Sequence, residues 1–504
     1  MARSRLRCIL SQLIGHTGVV LLCAIMPAAC IFDSDNHSKS DESFESISDP
    51  QVEEAPDIEP YRLLGAAFDM AEFGYQFREY FISGEAVSFK NVNELTSDGF
   101  WEVEPGESAD YKTRISVQRP IDPADFSGVV LIEWLNVYLG FELRPSWTAG
   151  HTEFLREGHV WIGVSAQKAG VDGVEDPLIP FDLYLKAFNP DRYGSLDHPG
   201  DSFSFDIFSQ VAQLVRNPTS VDVLEGLQPI AIIAVGNSDS ASQLVTYINA
   251  LQLRYNTFDG YMLHSRGGSG APLSVAPQVP ISTPEIAYIR SDVNVPVMSF
   301  QTETDLLYEH SAQVRQSDVE NLRIWEVAGS SHADQYLYLT GPEDTGADAE
   351  VALVAEVDYV GCNKINSGPH HWVFNASIHA LVSWVLDGTT PPQGEYIGLS
   401  DDSKALKLDD SGNVVGGIRT PYVEAPAATL SGEGQPEDDP VCRLFGTTTL
   451  FDSSRMASLY VDKSGYIQAV RDAADDAVAK GHLLSPDAER IKTAAALQWD
   501  RLGL

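Results

Sequence analysis

A hydroxyl, a carboxylate and an imidazole follow one another along this chain, each just past an apolar run: Ser238, Asp305 and His332. Such a set can do nucleophilic acyl chemistry. The serine attacks an acyl carbon, the imidazole takes its proton, and the carboxylate fixes the imidazole tautomer. Ser238 stands in AIIAVGNSDSASQL, residues 231–244, where the apolar run Ile232–Val235 stops at Gly236 and small residues follow the serine. Strand, sharp turn, serine and helix in that order form a nucleophile elbow of the G-x-S-x-small type, with Ser240 at the last position. A plain strand-to-helix turn with Ser238 as N-cap has the same local pattern, so the downstream residues carry the argument.

After Val295–Phe300 comes Gln301-Thr302-Glu303-Thr304-Asp305, and after Leu322–Val327 comes Ala328-Gly329-Ser330-Ser331-His332. The order serine, acid, histidine at strand ends is the one an elbow of this type requires. Asp305 is the preferred acid because it lies farther past its strand; Glu303 is the alternative. His332 is preferred to His264, which precedes the acid, and to His370-His371, which open an apolar helical stretch. An oxyanion hole would use the backbone N–H of Asp239 and one from the loop after Val129–Trp134, around Leu135, Asn136 and Val137. Trp134, Trp147 and Arg266 are open to two readings, pocket lining on the one hand, core packing or a surface salt bridge on the other.

The elements that must position these groups are legible as apolar runs. Val129–Trp134, Val160–Val164, Ile232–Val235, Val295–Phe300 and Leu322–Val327 read as strands buried on both faces, and Gly260–Leu263 as a shorter one. Helical spacing over Phe205–Val215 and Trp372–Leu386 alternates with them, which predicts a mostly parallel sheet covered by helices. Residues 74–89 read as an early antiparallel strand or hairpin, and residues 111–118 as a second strand. The predicted organisation is a signal peptide at 1–29, an acidic disordered tether at 30–60, a catalytic domain at 61–388 and an extension of the same domain at 389–504. That extension is thin in apolar residues.

Acidic residues number 72 against 33 basic ones, a balance opposed to phosphate neutralisation, so no nucleic-acid partner is expected. Arg3, Arg5 and Arg7, an apolar stretch from Cys8 to Met26, and Pro27-Ala28-Ala29 together read as an export signal. Cys30 directly after it offers a lipidation site, hence membrane attachment, with ordinary secretion as the alternative. Cys362 and Cys442 are the two cysteines left in the mature domain, and in an exported protein they are expected to pair. No metal or cofactor is implied, and the zinc-hydrolase motif H-E-x-x-H is absent.

Several further motifs occur together: EWLNV (133–137), GVSAQ (163–167), HSRG (264–267), TETD (302–305), INSGPHH (365–371), GGIRTP (416–421) and CRLFG (442–446). With the stretch 192–210 they resemble the bacterial family of large α/β-hydrolase-domain proteins, from about Tyr61 to near the C-terminus. The resemblance implies the α/β-hydrolase fold and a metal-free serine hydrolase. The family's elbow is similar to G-x-S-Q-S; Asp239 stands here in place of Gln. The expected activity is cleavage of small carboxylic esters. The rivals are a silent binding lipoprotein on the same scaffold and an acyltransferase or peptidase. The sequence leaves the oligomeric state open.

Overall fold

The computed structural model describes residues 44–60, 68–219, 221–359 and 361–503. The expected signal peptide, Cys30 and the tether up to residue 43 lie outside these residues. Nine strands form one sheet: β1 (Gln51–Glu54), β2 (Tyr75–Asn91), β3 (Val103–Pro120), β4 (Val129–Trp134), β5 (Val160–Val164), β6 (Ala231–Asn237), β7 (Gly260–His264), β8 (Val297–Thr302) and β9 (Leu322–Val327). Their order is β1-β2-β3-β5-β4-β6-β7-β8-β9. The first three strands run antiparallel, and β4 to β9 are mutually parallel. This is the predicted α/β-hydrolase sheet.

The apolar runs are continuous because both faces of the parallel strands are covered. Ile232 and Ala234 of β6 belong to one apolar cluster, with Phe205, Phe208 and Tyr261. Ile233 and Val235 belong to another on the opposite face, with Met262, Met298 and Phe374. The period of two along a strand sends alternate side chains to opposite layers.

The strand order reverses between β4 and β6: β4 leads to β5 on one side, β6 to β7 on the other. Crevices form beyond the carboxyl ends of the strands at such a switch point. The loops after β4 and β6, where the candidate oxyanion amides and Ser238 lie, are therefore adjacent. The strands carrying Ser238 and Asp305 are separated by β7, so His264 at the end of β7 comes between them.

One boundary needs correction. Residues 44–60, expected to be disordered tether, are ordered in this structure. Gln51–Glu54 pairs with residues 80–83 of β2, and Glu45 N–H donates to Arg254 O at 3.1 Å. Adding an edge strand uses backbone groups and only one buried side chain, Val52, so an acidic, Ser-rich composition does not forbid it.

The extension forms one compact unit with the hydrolase core. Its strands β10 (Ala428–Ser431) and β11 (Thr447–Leu450) pair with each other. It also gathers an apolar cluster of its own, in which Tyr422, Met456, Val470, Ile491 and Trp499 pack with the core residue Trp372. Asp487 accepts from Arg156 and Asn375, each at 3.0 Å. Ile418 N–H reaches Glu326 O at 2.6 Å, continuing the sheet one bridge past β9. Cys362 and Cys442 form a disulfide with Cα atoms 5.3 Å apart. Among the described residues no helix is long and apolar enough to cross a membrane.

Candidate active site

Ser238 sits between β6 and the helix Asp239–Ala250 with φ 57° and ψ −120°. That region is nearly closed to side-chain-bearing residues and costs on the order of 1–3 kcal/mol. The turn is so tight that a Cβ on Gly236 would lie 2.6 Å from Ser240 O, which explains the glycine and the small residue on either side of the serine. Ser238 N–H donates to His264 O at 2.9 Å, fixing the turn to the end of β7.

Asp305 and His332 meet as expected. His332 Nδ1 donates to Asp305 Oδ1 at 2.6 Å, because a carboxylate can only accept. Nε2 is then left with its lone pair, the tautomer a general base needs. Asp305 Oδ2 accepts from Thr302 N–H at 2.7 Å, so both carboxylate oxygens are held. His332 is itself anchored through its backbone N–H to Thr304 Oγ1 at 3.3 Å. Burial would lower the His332 pKa, but the charge of Asp305, its hydrogen bond, and the charges of Glu309 and Asp239 together raise it above the ordinary value.

Ser238 and His332 line the same cavity. Among the described residues no hydrogen bond joins their side chains. Catalytic hydrogen bonds of this kind commonly tighten only when substrate is bound.

Glu303, the alternative acid, does not face His332. It is buried and accepts from Gly329 N–H at 2.6 Å and from Gly432 N–H at 2.9 Å. Burial pushes its carboxyl up to about 8 against the pull of those two bonds. It clamps the loop before His332 to the extension.

The oxyanion assignment needs correction at two positions. Leu135 N–H donates to Val164 O at 3.3 Å and Asn136 N–H to Leu143 O at 3.2 Å, so neither is free. Edge-on pairing of the loop with its neighbours uses both amides, a feature no local pattern displays. Val137 N–H, next along the loop, makes no hydrogen bond among the described residues. Asn136 contributes through its side chain instead. Its Nδ2 donates to Asn237 O at 3.1 Å and its Oδ1 accepts from Tyr138 N–H at 2.9 Å, tying this loop to the residue before the serine. Asp239 opens the helix that follows Ser238, where its amide lacks an intrahelical partner and its carboxylate is favoured by the helix dipole.

Sequence reasoning missed the layer beneath these groups. Glu133, in the EWLNV motif, is fully buried and accepts from Ser146 N–H (3.0 Å), Trp147 N–H (2.9 Å) and Trp161 Nε1–H (2.8 Å). It thereby caps the helix Pro145–Glu157, and burial, opposed by those bonds, pushes its carboxyl up to about 7. His264 and His370, set aside as bases, are hydrogen-bonded to each other. Trp134 and Trp147 pack in the core against Phe205 and Trp161, and Arg266 donates to Ala287 O at 2.6 Å; none of the three lines the cavity at Ser238. The HSRG, INSGPHH and EWLNV motifs carry these residues, but nothing in a single residue type says that it works from below.

Solved structures that resemble the chain do so over about half of it. Acetyl xylan esterase 1 from Thermoanaerobacterium sp. JW/SL YS485 is 8% identical, covering 55% of this chain and 81% of that one, with a TM-score of 0.29. Est1E from Butyrivibrio proteoclasticus, solved with ferulic acid bound, is 11% identical over 50% of this chain and 95% of that one, with a TM-score of 0.27. An esterase from Rhizomucor miehei is 14% identical over 52% and 79%, also with a TM-score of 0.27. No curated protein matches the sequence. The family model described as "Alpha/beta hydrolase domain" matches residues 47–493, nearly the whole of the ordered chain, and the protein belongs to that α/β-hydrolase family.

Proposed function

We propose that this α/β-hydrolase is a serine carboxylic-ester hydrolase that works through an acyl-enzyme on Ser238. The observation that carries the reading is the Asp305–His332 hydrogen bond, in the correct tautomer, beside a serine on a strained elbow. In the first step Ser238 Oγ attacks the ester carbonyl carbon and its proton passes to His332 Nε2. The tetrahedral oxyanion is met by the Asp239 and Val137 amides. Collapse expels the alcohol, which leaves with the proton from His332. Water then repeats the sequence on the acyl-enzyme and releases the acid. Asp239, next to the serine, places negative charge near the developing oxyanion, an opposing effect that the amide donors have to outweigh.

The test is reaction of the purified protein with a fluorophosphonate, followed by peptide mass spectrometry, together with hydrolysis of a panel of aryl and alkyl esters. Covalent mass on Ser238, and turnover abolished in Ser238→Ala, are expected. An unlabelled Ser238 would instead favour the silent binding protein on a hydrolase scaffold. Product analysis with added alcohols or peptides separates hydrolysis from acyl transfer and proteolysis.

We also propose export, with the mature chain beginning at Cys30 and a lipid on that residue. The basic, apolar and small-residue order of residues 3–29 supports it. Mass spectrometry of the protein from its native membrane fraction tests it; a chain still beginning at Met1 would overturn it.

A further inference from the structure

The cavity at Ser238 is closed on one side by the C-terminal extension. Leu444 lines it together with Ser238 and His332. Leu444 lies in the short turn Cys442–Phe445, far along the chain from the core strands, yet its backbone is bonded to the residue beside the base: Ala333 N–H donates to Leu444 O at 2.8 Å. The next residue is held as firmly. Phe445 O accepts from Asn366 N–H at 3.0 Å and from Ser331 Oγ at 3.1 Å, and the Phe445 ring packs edge-on to Tyr338, centroids 5.1 Å apart. Cys442 ties the start of the turn to Cys362.

Tyr138, Leu143, Pro145, Leu337 and Tyr338 give the rest of the wall an apolar and aromatic side, and Asn136 and Asn237 a polar one beside the serine. The enclosed space is about 30 Å³, room for one or two water molecules. The group enclosed by such a cavity must be small. Of the two halves of an ester, the acyl group is the one that stays bonded to Ser238 after the alcohol has left.

Resting on the serine-esterase reading above, we propose that Leu444 is a specificity-determining residue, that it restricts the substrates to esters of short acyl groups, and that the Cys362–Cys442 bond holds it in place. The extension is then part of the substrate site. A leucine that ends a cavity rejects extra methylenes by overlap, and each methylene in such a pocket changes discrimination by roughly tenfold or more.

The experiment measures kcat/KM for p-nitrophenyl acetate, butyrate, hexanoate and octanoate in the full chain, in Leu444→Ala and in Leu444→Phe. The unaltered protein should prefer the shortest esters. Leu444→Ala should raise the hexanoate-to-acetate ratio by about tenfold, and Leu444→Phe should lower it. The double variant Cys362→Ser/Cys442→Ser should shift the ratio in the same direction as Leu444→Ala. Should Leu444→Ala fail to fold, as read by melting temperature, Leu444→Val replaces it and the opposite pair of shifts is still required. Equal changes for all four esters, or shifts of the same sign in the enlarged and the filled cavity, overturn the role of Leu444. A protein that hydrolyses no ester and takes no fluorophosphonate on Ser238 overturns the esterase reading instead. Active variants with an unchanged ratio leave that reading standing and remove only the wall. A double cysteine variant that keeps the original ratio removes the part assigned to the disulfide.

Discussion

His264 and His370 are hydrogen-bonded ring to ring, Nε2 to Nε2 at 2.6 Å, directly beneath the serine and the base loop. His370 Nδ1 donates to Ser331 O at 2.9 Å, so its Nε2 is an acceptor and His264 Nε2–H is the donor. His264 Nδ1 then accepts from the Ser146 hydroxyl at 3.1 Å. With both rings neutral every one of these contacts is satisfied, and a second proton on His370 Nε2 would set two N–H groups against each other. Burial pushes His370 down to about 4 and His264 well below its ordinary value.

Stability should therefore fall on acidification. The unfolded imidazole takes up a proton near 6.5 while the folded one resists until about 4, so between these values the unfolded state binds more protons and loses less by acid. The contribution present above about pH 6.5 is lost progressively down to about pH 4, on the order of 3 kcal/mol for His370. Melting temperatures measured across this window should show a slope that is shallower in His370→Gln. Equal slopes in the two proteins would remove the histidine pair as the cause.

The acid assignment predicts two very different variants. Asp305→Asn should lower kcat by roughly 10⁴-fold through loss of the His332 tautomer, with little change in melting temperature. Glu303→Ala should do the reverse. It removes the acceptor for Gly329 and Gly432 N–H, at about 1–3 kcal/mol for each donor left unpaired in the interior, while Asp305 still orients the base. If Glu303→Ala proves as inactive as Asp305→Asn while folding normally, the assignment fails.

Ester hydrolysis should lose activity toward acid with a midpoint above 6.5, since His332 must be neutral to accept the serine proton and its pKa is raised. Glu309 contributes to that rise without touching the imidazole. Glu309→Gln should move the acidic limb of the kcat/KM profile to lower pH and leave its plateau close to unchanged. A limb that stays in place would show that Glu309 does not act on the base.

Reduction of Cys362–Cys442 should destabilise the protein. The cysteines are 80 residues apart in sequence, for which the loop-entropy relation gives about 4.5 kcal/mol. Denaturant midpoints with and without reductant measure it, and coincident curves would contradict it.

Much of this site could be read from the chain because its chemistry is local. In TETD each residue has a separate task that follows from being one step further round the same turn. Thr302 N–H holds Asp305, Glu303 holds two glycine amides, Thr304 holds His332 N–H, and Asp305 holds its ring. The parallel strands were legible for the same reason, since burial on both faces writes an unbroken apolar run. What could not be read is where partners come from distant segments. The amides of Leu135 and Asn136 are used up by Val164 and Leu143. β1 pairs through its backbone, and Leu444 reaches the cavity from more than a hundred residues beyond the base. No pattern along the sequence records which carbonyl lies opposite a given N–H.

The bond from Ala333 N–H to Leu444 O also sets an order of events during synthesis. Chains emerge N-terminus first, and the strands that carry Ser238, Asp305 and His332 are complete long before residues 442–445 leave the ribosome. A nascent or truncated chain holding all three groups would still have an open-sided cavity and an unpaired Ala333 amide. The cavity thus takes its final shape only once the last quarter of the polypeptide has been delivered and docked. Trimming the chain to a minimal hydrolase at residue 388 would therefore leave the reactive groups without their final wall.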